Sequence, residues 1–327
     1  MEKRDTTIRS SAIDSRVGSA GKLPVAHKSA FQCNAEPSEA ARAEINKTLR
    51  RQKVNAAIRY TILVLVGIAM IYPLLWLIGA SFKNNQQIFS ELSFLPTDPI
   101  FSGYIEGWKT STEYTFGRFF GNTFMILFPK VIATAISSTL VAYGFARFEF
   151  PGKKILFSIL IATLLLPNVV TRIPQYLLFR ELGWLDSYLP LWFPQLFAVD
   201  AFFVFLLIQF LRGIPRDMEE AAMIDGCGPN KVLLYIVVPM LKPAIISVCL
   251  FQFMWSMNDF LGPLIYISSV EKFPVSLALK MSIDTTEAFE WNRILAMTVL
   301  ALLPSLVIFF LSQKYFIEGV STTGLKG

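Results

Sequence analysis

The residues able to do chemistry in this 327-residue chain are few, and most stand in apolar company. Between Phe253 and Phe260 lie Trp255, Ser256, Asn258 and Asp259, which bring an aromatic ring, a hydroxyl, an amide and a carboxylate into one short stretch. An ionisable group at membrane depth costs about 3 kcal/mol or more, so it faces protein or water rather than lipid. A ring for stacking and side chains for hydrogen bonding on one helix suit a sugar-like solute, which makes these four residues candidates for a substrate pathway. They equally fit a packing arrangement in which Asn258 and Asp259 satisfy one another or a neighbouring backbone. Asp200, with Gln195 and Gln209 near it, reads first as helix packing, and Lys130 as a side chain that snorkels to an interface.

Other chemistries are excluded by what is missing. Cys33, Cys227 and Cys249 form no metal or redox spacing, and the single histidine, His27, sits in a polar tail. A phosphate-cradling GxxxxGK[ST] loop is absent, since Gly21-Lys22 lacks both the upstream glycine and the following hydroxyl. With no paired acids suited to acid-base or metal work, the chain is expected to carry no catalytic site, to bind no metal and to hold no cofactor of its own.

A second group of chemically capable residues lies in the polar connection from Arg212 to Ala244, RGIPRDMEEAAMIDGCGPNKVLLYIVVPMLKPA. Pro215 opens a helix with Asp217, Glu219 and Glu220 in its first turns, where the helix dipole favours negative charge. Asp225 precedes Gly226, which stands where a glycine stops a helix, and Gly228-Pro229 suits the start of the next one. Pro239 and Pro243 end that second helix. Ala221 and Ala222 keep one side thin enough to enter a groove on another protein. A plain connecting loop is the alternative.

The elements that position these groups are membrane spans. Hydrophobic residues make up 54% of the chain and charged ones only 17%, which argues against a water-soluble surface. Crossing a hydrocarbon core of about 30 Å takes about 20 apolar residues. Six stretches qualify: 60–82, 119–146, the short 155–171, 187–211, 243–270 and 294–313. The third is expected to break at Pro167-Asn168. Residues 1–59 hold twelve Lys/Arg against six Asp/Glu, the whole of the +6 net charge. With the N-terminus inside, cytoplasmic segments carry twenty-one Lys/Arg against eight outside, so both termini are expected in the cytoplasm. Residues 1–37 have no apolar period and read as disordered, followed by a helix from Ser38 along the membrane surface. The basic tail has almost no interleaved aromatics, so anionic lipid rather than nucleic acid is its expected partner.

The spacing Glu220-Ala221-Ala222, Asp225-Gly226, then Ile236 and Pro239, resembles the EAA motif of binding-protein-dependent importer permeases, with Val238 where that family usually has Leu. Asn122-Thr123, Ala142-Tyr143-Gly144-Phe145-Ala146-Arg147, Leu166-Pro167, Leu182-Gly183 and the ending Gly324-Leu325-Lys326-Gly327 extend the resemblance over about residues 58–327, to the maltose-type carbohydrate permeases. Near Asp259 the family typically has two aromatics where this chain has Met257 and Gly262.

The resemblance implies an all-α polytopic protein of six transmembrane helices, with a cytoplasmic coupling helix between spans four and five. It implies a tail over 1–57 and a transmembrane domain over 58–327. It further implies a second permease subunit, two ATP-binding cassette ATPases carrying ATP and Mg, and an extracytoplasmic solute-binding protein. Glu219, Glu220, Ala221, Ala222, Asp225 and Gly226 would couple to the ATPase, and the solute would be a carbohydrate. A permease for a non-sugar solute is the alternative; a secondary transporter would show inverted repeats and more buried charge, and a membrane-embedded enzyme would need the acid-base groups that are missing.

Overall fold

A computed structural model describes residues 39–90, 93, 96, 98–109, 114–284 and 290–324. The basic tail with His27, Cys33 and the Ser38 helix start lies outside the described residues, as does the Leu325-Lys326-Gly327 ending. The chain divides into two units, Met1–Val66 and Gly67–Gly327. Among the described residues all regular structure is helical.

Helix α1 (Glu39–Ala80) starts in the first unit, in a segment bearing Lys47, Arg50, Arg51, Lys53 and Arg59, and ends within the second. A charge-free stretch follows, and many of its large apolar side chains are exposed, Leu63 at 64% and Leu65 at 61%. Apolar exposure on that scale over several turns is the signature of lipid or a partner, not of water.

The second unit continues with α2 (Asn85–Ser90), α3 (Ser102–Trp108), α4 (Phe116–Arg147), α5 (Lys153–Leu164), α6 (Asn168–Glu181) and α7 (Leu189–Trp192). A 3₁₀ turn (Phe193–Phe197) leads to α8 (Ala201–Gly213), then α9 (Asp217–Ile224) and α10 (Pro229–Val232). A π turn (Leu233–Val237) joins α10 to α11 (Val238–Met240), and α12 (Lys242–Met257), α13 (Leu261–Tyr266), α14 (Val275–Asp284) and α15 (Trp291–Gly324) complete the chain.

Among the described residues, four helical stretches are long and apolar enough to cross a membrane: Asn46–Ala80, Phe116–Arg147, Leu189–Gly213 and Trp291–Lys314. Two bent pairs bring the number to six if each is one span: Lys153–Leu164 with Val169–Glu181, bent by 105°, and Pro229–Met240 with Lys242–Met257, bent by 76°. The first bend falls at the expected Pro167, whose ψ of 126° is extended. Proline has no N–H to continue the ladder, and it drives the preceding residue out of the helical region. The second bend follows the π turn ahead of Pro239, where the missing N–H frees a carbonyl and the helix widens.

Two of the expected continuous spans are interrupted. The stretch 187–211 is broken in its middle, where Ala198 adopts φ +51° and α8 restarts after Asp200. The stretch 243–270 ends as a helix at Met257, and α13 begins beyond Asp259. Helix α4 is the central post of the second unit. Its C-terminal half packs with α8 and α12 around Phe203, Leu207, Leu211 and Val248, all buried. Its N-terminal half packs with α14 and α15 around Phe116, Phe119, Ala278 and Met297. Asn122 Nδ2 donates to the carbonyls of Glu271 (2.8 Å) and Phe273 (3.0 Å), and Thr123 Oγ1 accepts the Val275 N–H (2.9 Å), so this pair pins the irregular segment ahead of α14.

Candidate functional site: a loop helix and a polar crevice

Helix α9 sits at the C-terminal end of α4, and the ending of α9 is defined by its glycine. Gly226 has φ +85°; its N–H donates to Met223 O (3.1 Å), and the Cys227 N–H donates to Ala222 O (2.9 Å). Those two bonds close a Schellman motif, which needs the left-handed conformation at its glycine. Gly228 in an extended conformation and Pro229 then open α10, as their order in the chain predicts.

The two adjacent glutamates of α9 have opposite surroundings. Glu219 is 3% exposed, and its Oε1 accepts from both Nε and Nη2 of Arg147 at 2.7 Å. Arg147 Nη2 also donates to Ile214 O (3.1 Å), while Arg216, at the start of α9, donates from Nη2 to Ala146 O (3.1 Å). Two arginines therefore cross between α4 and α9 in opposite directions. Glu220 is exposed, as are Ala221 and Asp225, and around them stand the exposed apolar side chains Met218, Met223 and Ile224. Ala222 packs inward against the core around α8. Residue pattern alone did not separate the two glutamates; the pairing of Glu219 with Arg147, 72 residues earlier, is a tertiary fact.

The second site is a crevice of 480 Å³ bordered by α4, α6, the broken span and α12. Lys130, Arg172, Gln195, Asp200, Gln252 and Asp259 supply its polar wall, and Trp255 part of its apolar one. Its floor exists because the fourth span is interrupted. At this interruption the Gln195 carbonyl accepts the Ala198 N–H (3.3 Å) at the end of the 3₁₀ turn, and α4 supplies further partners. Ser137 Oγ donates to Gln195 O (2.6 Å), and Thr134 Oγ1 donates to Gln195 Oε1 (3.3 Å).

Of the four residues singled out around the fifth span, Trp255 and Asp259 line this crevice. Ser256 and Asp259 line a small adjoining pocket with Thr123 and Ser276. Asn258 lines neither: it is exposed, and its Nδ2 donates to Met254 O (2.8 Å), capping α12. Asn258 and Asp259 thus do not satisfy one another. Asp259 accepts the Gly262 N–H on Oδ1 (3.0 Å) and pairs through Oδ2 with Lys130 Nζ (3.5 Å). Lys130 consequently does not snorkel to an interface, because the break after Met257 leaves a carboxylate within its reach. Trp255 is 48% exposed and leans on Phe202 and Phe203, with ring centroids 5.4 and 5.0 Å away. Asp200 stands at the break rather than inside a continuous helix, and its side chain bonds to Gln195.

At the N-terminal end of α4, Asp186 (φ +55°) ties two connections together. It accepts from Lys272 Nζ (2.8 Å), Ser269 Oγ (2.7 Å) and the N–H groups of Ser269 (2.9 Å) and Ser268 (3.0 Å). The hydrogen-bonded ammonium and then the Ser269 hydroxyl hold this carboxyl well below the usual carboxylate range. Among the described residues no three His, Cys, Asp or Glu side chains gather as metal ligands.

The family of binding-protein-dependent transport system inner membrane components matches residues 136–322, a stretch that includes the end of α4, all of α9 and most of the crevice. The chain belongs to that family. It is a permease subunit of the inner membrane and not an enzyme. The permease is 30% identical over 267 residues to the arabinooligosaccharides transport system permease protein of Bacillus subtilis, covering 81% of this chain and 93% of that one. It is 27% identical over 267 residues to the diacetylchitobiose uptake system permease protein of Streptomyces coelicolor, covering 81% and 87%. It is 28% identical over 281 residues to the sn-glycerol-3-phosphate transport system permease protein of Agrobacterium fabrum, covering 84% and 99%. In fold, the permease is similar to a chain in the crystal structure of a bacterial ABC transporter involved in the import of the acidic polysaccharide alginate. That TM-score is 0.72 at 23% identity, covering 82% of this chain and 98% of the other. Family membership implies a solute-binding protein and ATPase partners.

Proposed function

We propose that this permease pairs with a second, homologous permease to form the path for a carbohydrate, an oligosaccharide or glycoside, handed over by an extracytoplasmic solute-binding protein. Both termini face the cytoplasm, residues 1–57 form a basic tail against anionic lipid, and residues 58–327 form the transmembrane domain. ATP and Mg are bound by two ATPase subunits, and α9 docks on one of them as a coupling helix. The observation that carries this reading is the exposed face of α9. Glu220, Ala221, Asp225 and three large apolar side chains stand free on a short helix whose end is set by Gly226. An exposed apolar patch with a charged rim on a short, thin helix suits a protein groove.

The solute path is the crevice, with Trp255 for stacking and Lys130, Gln195, Gln252 and Asp259 for hydroxyl groups. Relatives named for arabinooligosaccharides and diacetylchitobiose favour a carbohydrate, whereas the relative named for sn-glycerol-3-phosphate favours a non-sugar solute with a phosphate. The test is to purify the tagged subunit with its partners and measure ATP hydrolysis in the presence of the binding protein and a panel of oligosaccharides, with sn-glycerol-3-phosphate as the contrasting solute. Stimulation by an oligosaccharide supports the reading; stimulation by the phosphate ester alone moves the substrate class. Recovery of the subunit with no ATPase would overturn the coupling role.

A further inference from the structure

Lys130, on the crevice wall, and Arg147, at the α9 contact, stand on one uninterrupted helix, α4. Seventeen residues at 1.5 Å rise put them about 25 Å apart along its axis. Between them Thr134 and Ser137 hold the broken strand of chain at Gln195, which forms the crevice floor. The Arg147 and Glu219 side chains are only 8% and 4% exposed, so their ion pair is shielded from solvent and from any docking partner. The exposed face of α9 is therefore free to dock while its buried face is bolted to α4. Arg216 adds a bond in the reverse direction, to Ala146 O.

We propose that Arg147 and Glu219, with Arg216, form a clasp that makes α4 follow α9, so that displacement of the docked loop is delivered to the crevice wall around Lys130 and Gln195. They are positioning residues: neither touches solute or nucleotide. Through the chain, α9 reaches α4 by way of α8, whose contact with α4 is apolar, around Phe203, Leu207 and Leu211; the clasp adds polar, directional bonds between α9 and α4 themselves. Packed interfaces and a paired buried charge hold one discrete arrangement and resist sliding, which a solvent-exposed contact does not. This inference rests on the coupling role proposed for α9, and its test separates the two.

The experiment uses the assembled transporter with Cys33, Cys227 and Cys249 replaced by Ser and a reporter thiol at Val199→Cys. Val199 lines the crevice and is 54% exposed. Maleimide labelling of the reporter is timed with and without ATP and vanadate, alongside nucleotide trapping and recovery of the ATPases. The parent is expected to change its labelling rate at least fivefold on trapping. Glu219→Gln and Arg147→Gln should still recover the ATPases and trap nucleotide, since the docking face is untouched, yet change labelling less than twofold. The exchanged pair, Arg147→Glu with Glu219→Arg, should regain at least half of the response. A full response in Glu219→Gln, or a parent that traps nucleotide with no change at Val199→Cys, overturns the clasp while leaving the docking of α9 intact. Absence of ATPase from the parent complex overturns the docking itself. If the buried variants do not assemble, Arg216→Gln on the exposed side decides: it should reduce the labelling response by about half, and an unaltered response refutes the clasp.

Discussion

Replacing Gly226 isolates backbone conformation from crowding, because a Cβ built there meets nothing within 4 Å. The whole effect of a side chain then comes from φ +85°. An L-residue in the left-handed region costs about 1–2 kcal/mol, with Asn penalised least and a β-branched residue most. Relaxing that strain means giving up the Schellman bonds from Gly226 and Cys227, each worth about 1 kcal/mol net. Gly226→Ala should therefore disfavour the native turn by about 1 kcal/mol and Gly226→Val by about 2, with Gly226→Asn well under 1. At 1.4 kcal/mol per factor of ten, the Val substitution depopulates the native loop roughly thirtyfold. The assay is ATP hydrolysis stimulated by the binding protein in the assembled transporter, with membrane insertion checked by blot. Stimulation should fall in the order Gly, Asn, Ala, Val, while basal hydrolysis and subunit recovery hold. Wild-type stimulation in Gly226→Val would refute the reasoning, and so would an Asn variant as damaged as the Val one, since only the left-handed requirement separates them.

Other substitutions probe the crevice and the opposite end of α4. Gly262→Ala places a Cβ 2.8 Å from Asp259 Oδ2 and 3.1 Å from Leu191 Cδ2, so the carboxylate must leave its bond to the Gly262 N–H; thermal unfolding in detergent should show a loss of about 1–3 kcal/mol, and an unchanged midpoint would count against the packing described. Lys130→Met leaves Asp259 without its cation at side-chain exposures of 13% and 19%, so the loss should be about 2 kcal/mol, short of the 3–5 of a fully dry pair. Combining it with Asp259→Asn should recover part of that loss, and strictly additive losses would argue that the two groups do not interact. Asp186 has a folded-state pKa lowered below its unfolded value of about 3.9, so its contribution is complete above that pH and is lost as pH falls through the lowered folded value. The stability gap between the protein and Asp186→Asn should hence stay constant from pH 5 to 8 and narrow only in stronger acid; a gap that closes between pH 5 and 7 would mean that Lys272 and Ser269 do not hold the carboxylate.

Much of this protein can be read along the chain because the determining forces are local. Runs of about 20 apolar residues must cross lipid as helices, since no other backbone arrangement of a single segment satisfies its own polar groups there. Pro167 marks a bend for the same local reason, a missing N–H, and Gly226 and Gly228-Pro229 mark the ends around α9 through the conformations that those residues allow. Tertiary structure alone decided the rest. That the fourth span breaks at Ala198 depends on Ser137 and Thr134 of another helix being placed to satisfy Gln195. That Lys130 turns inward depends on Asp259 arriving 129 residues later in the chain. Which of two neighbouring glutamates is buried depends on where Arg147 ends α4. Hydrogen bonds and ion pairs between distant segments leave no period or punctuation in the residues that make them, so apolar runs and turn residues determine the elements while long-range polar partners determine the sites.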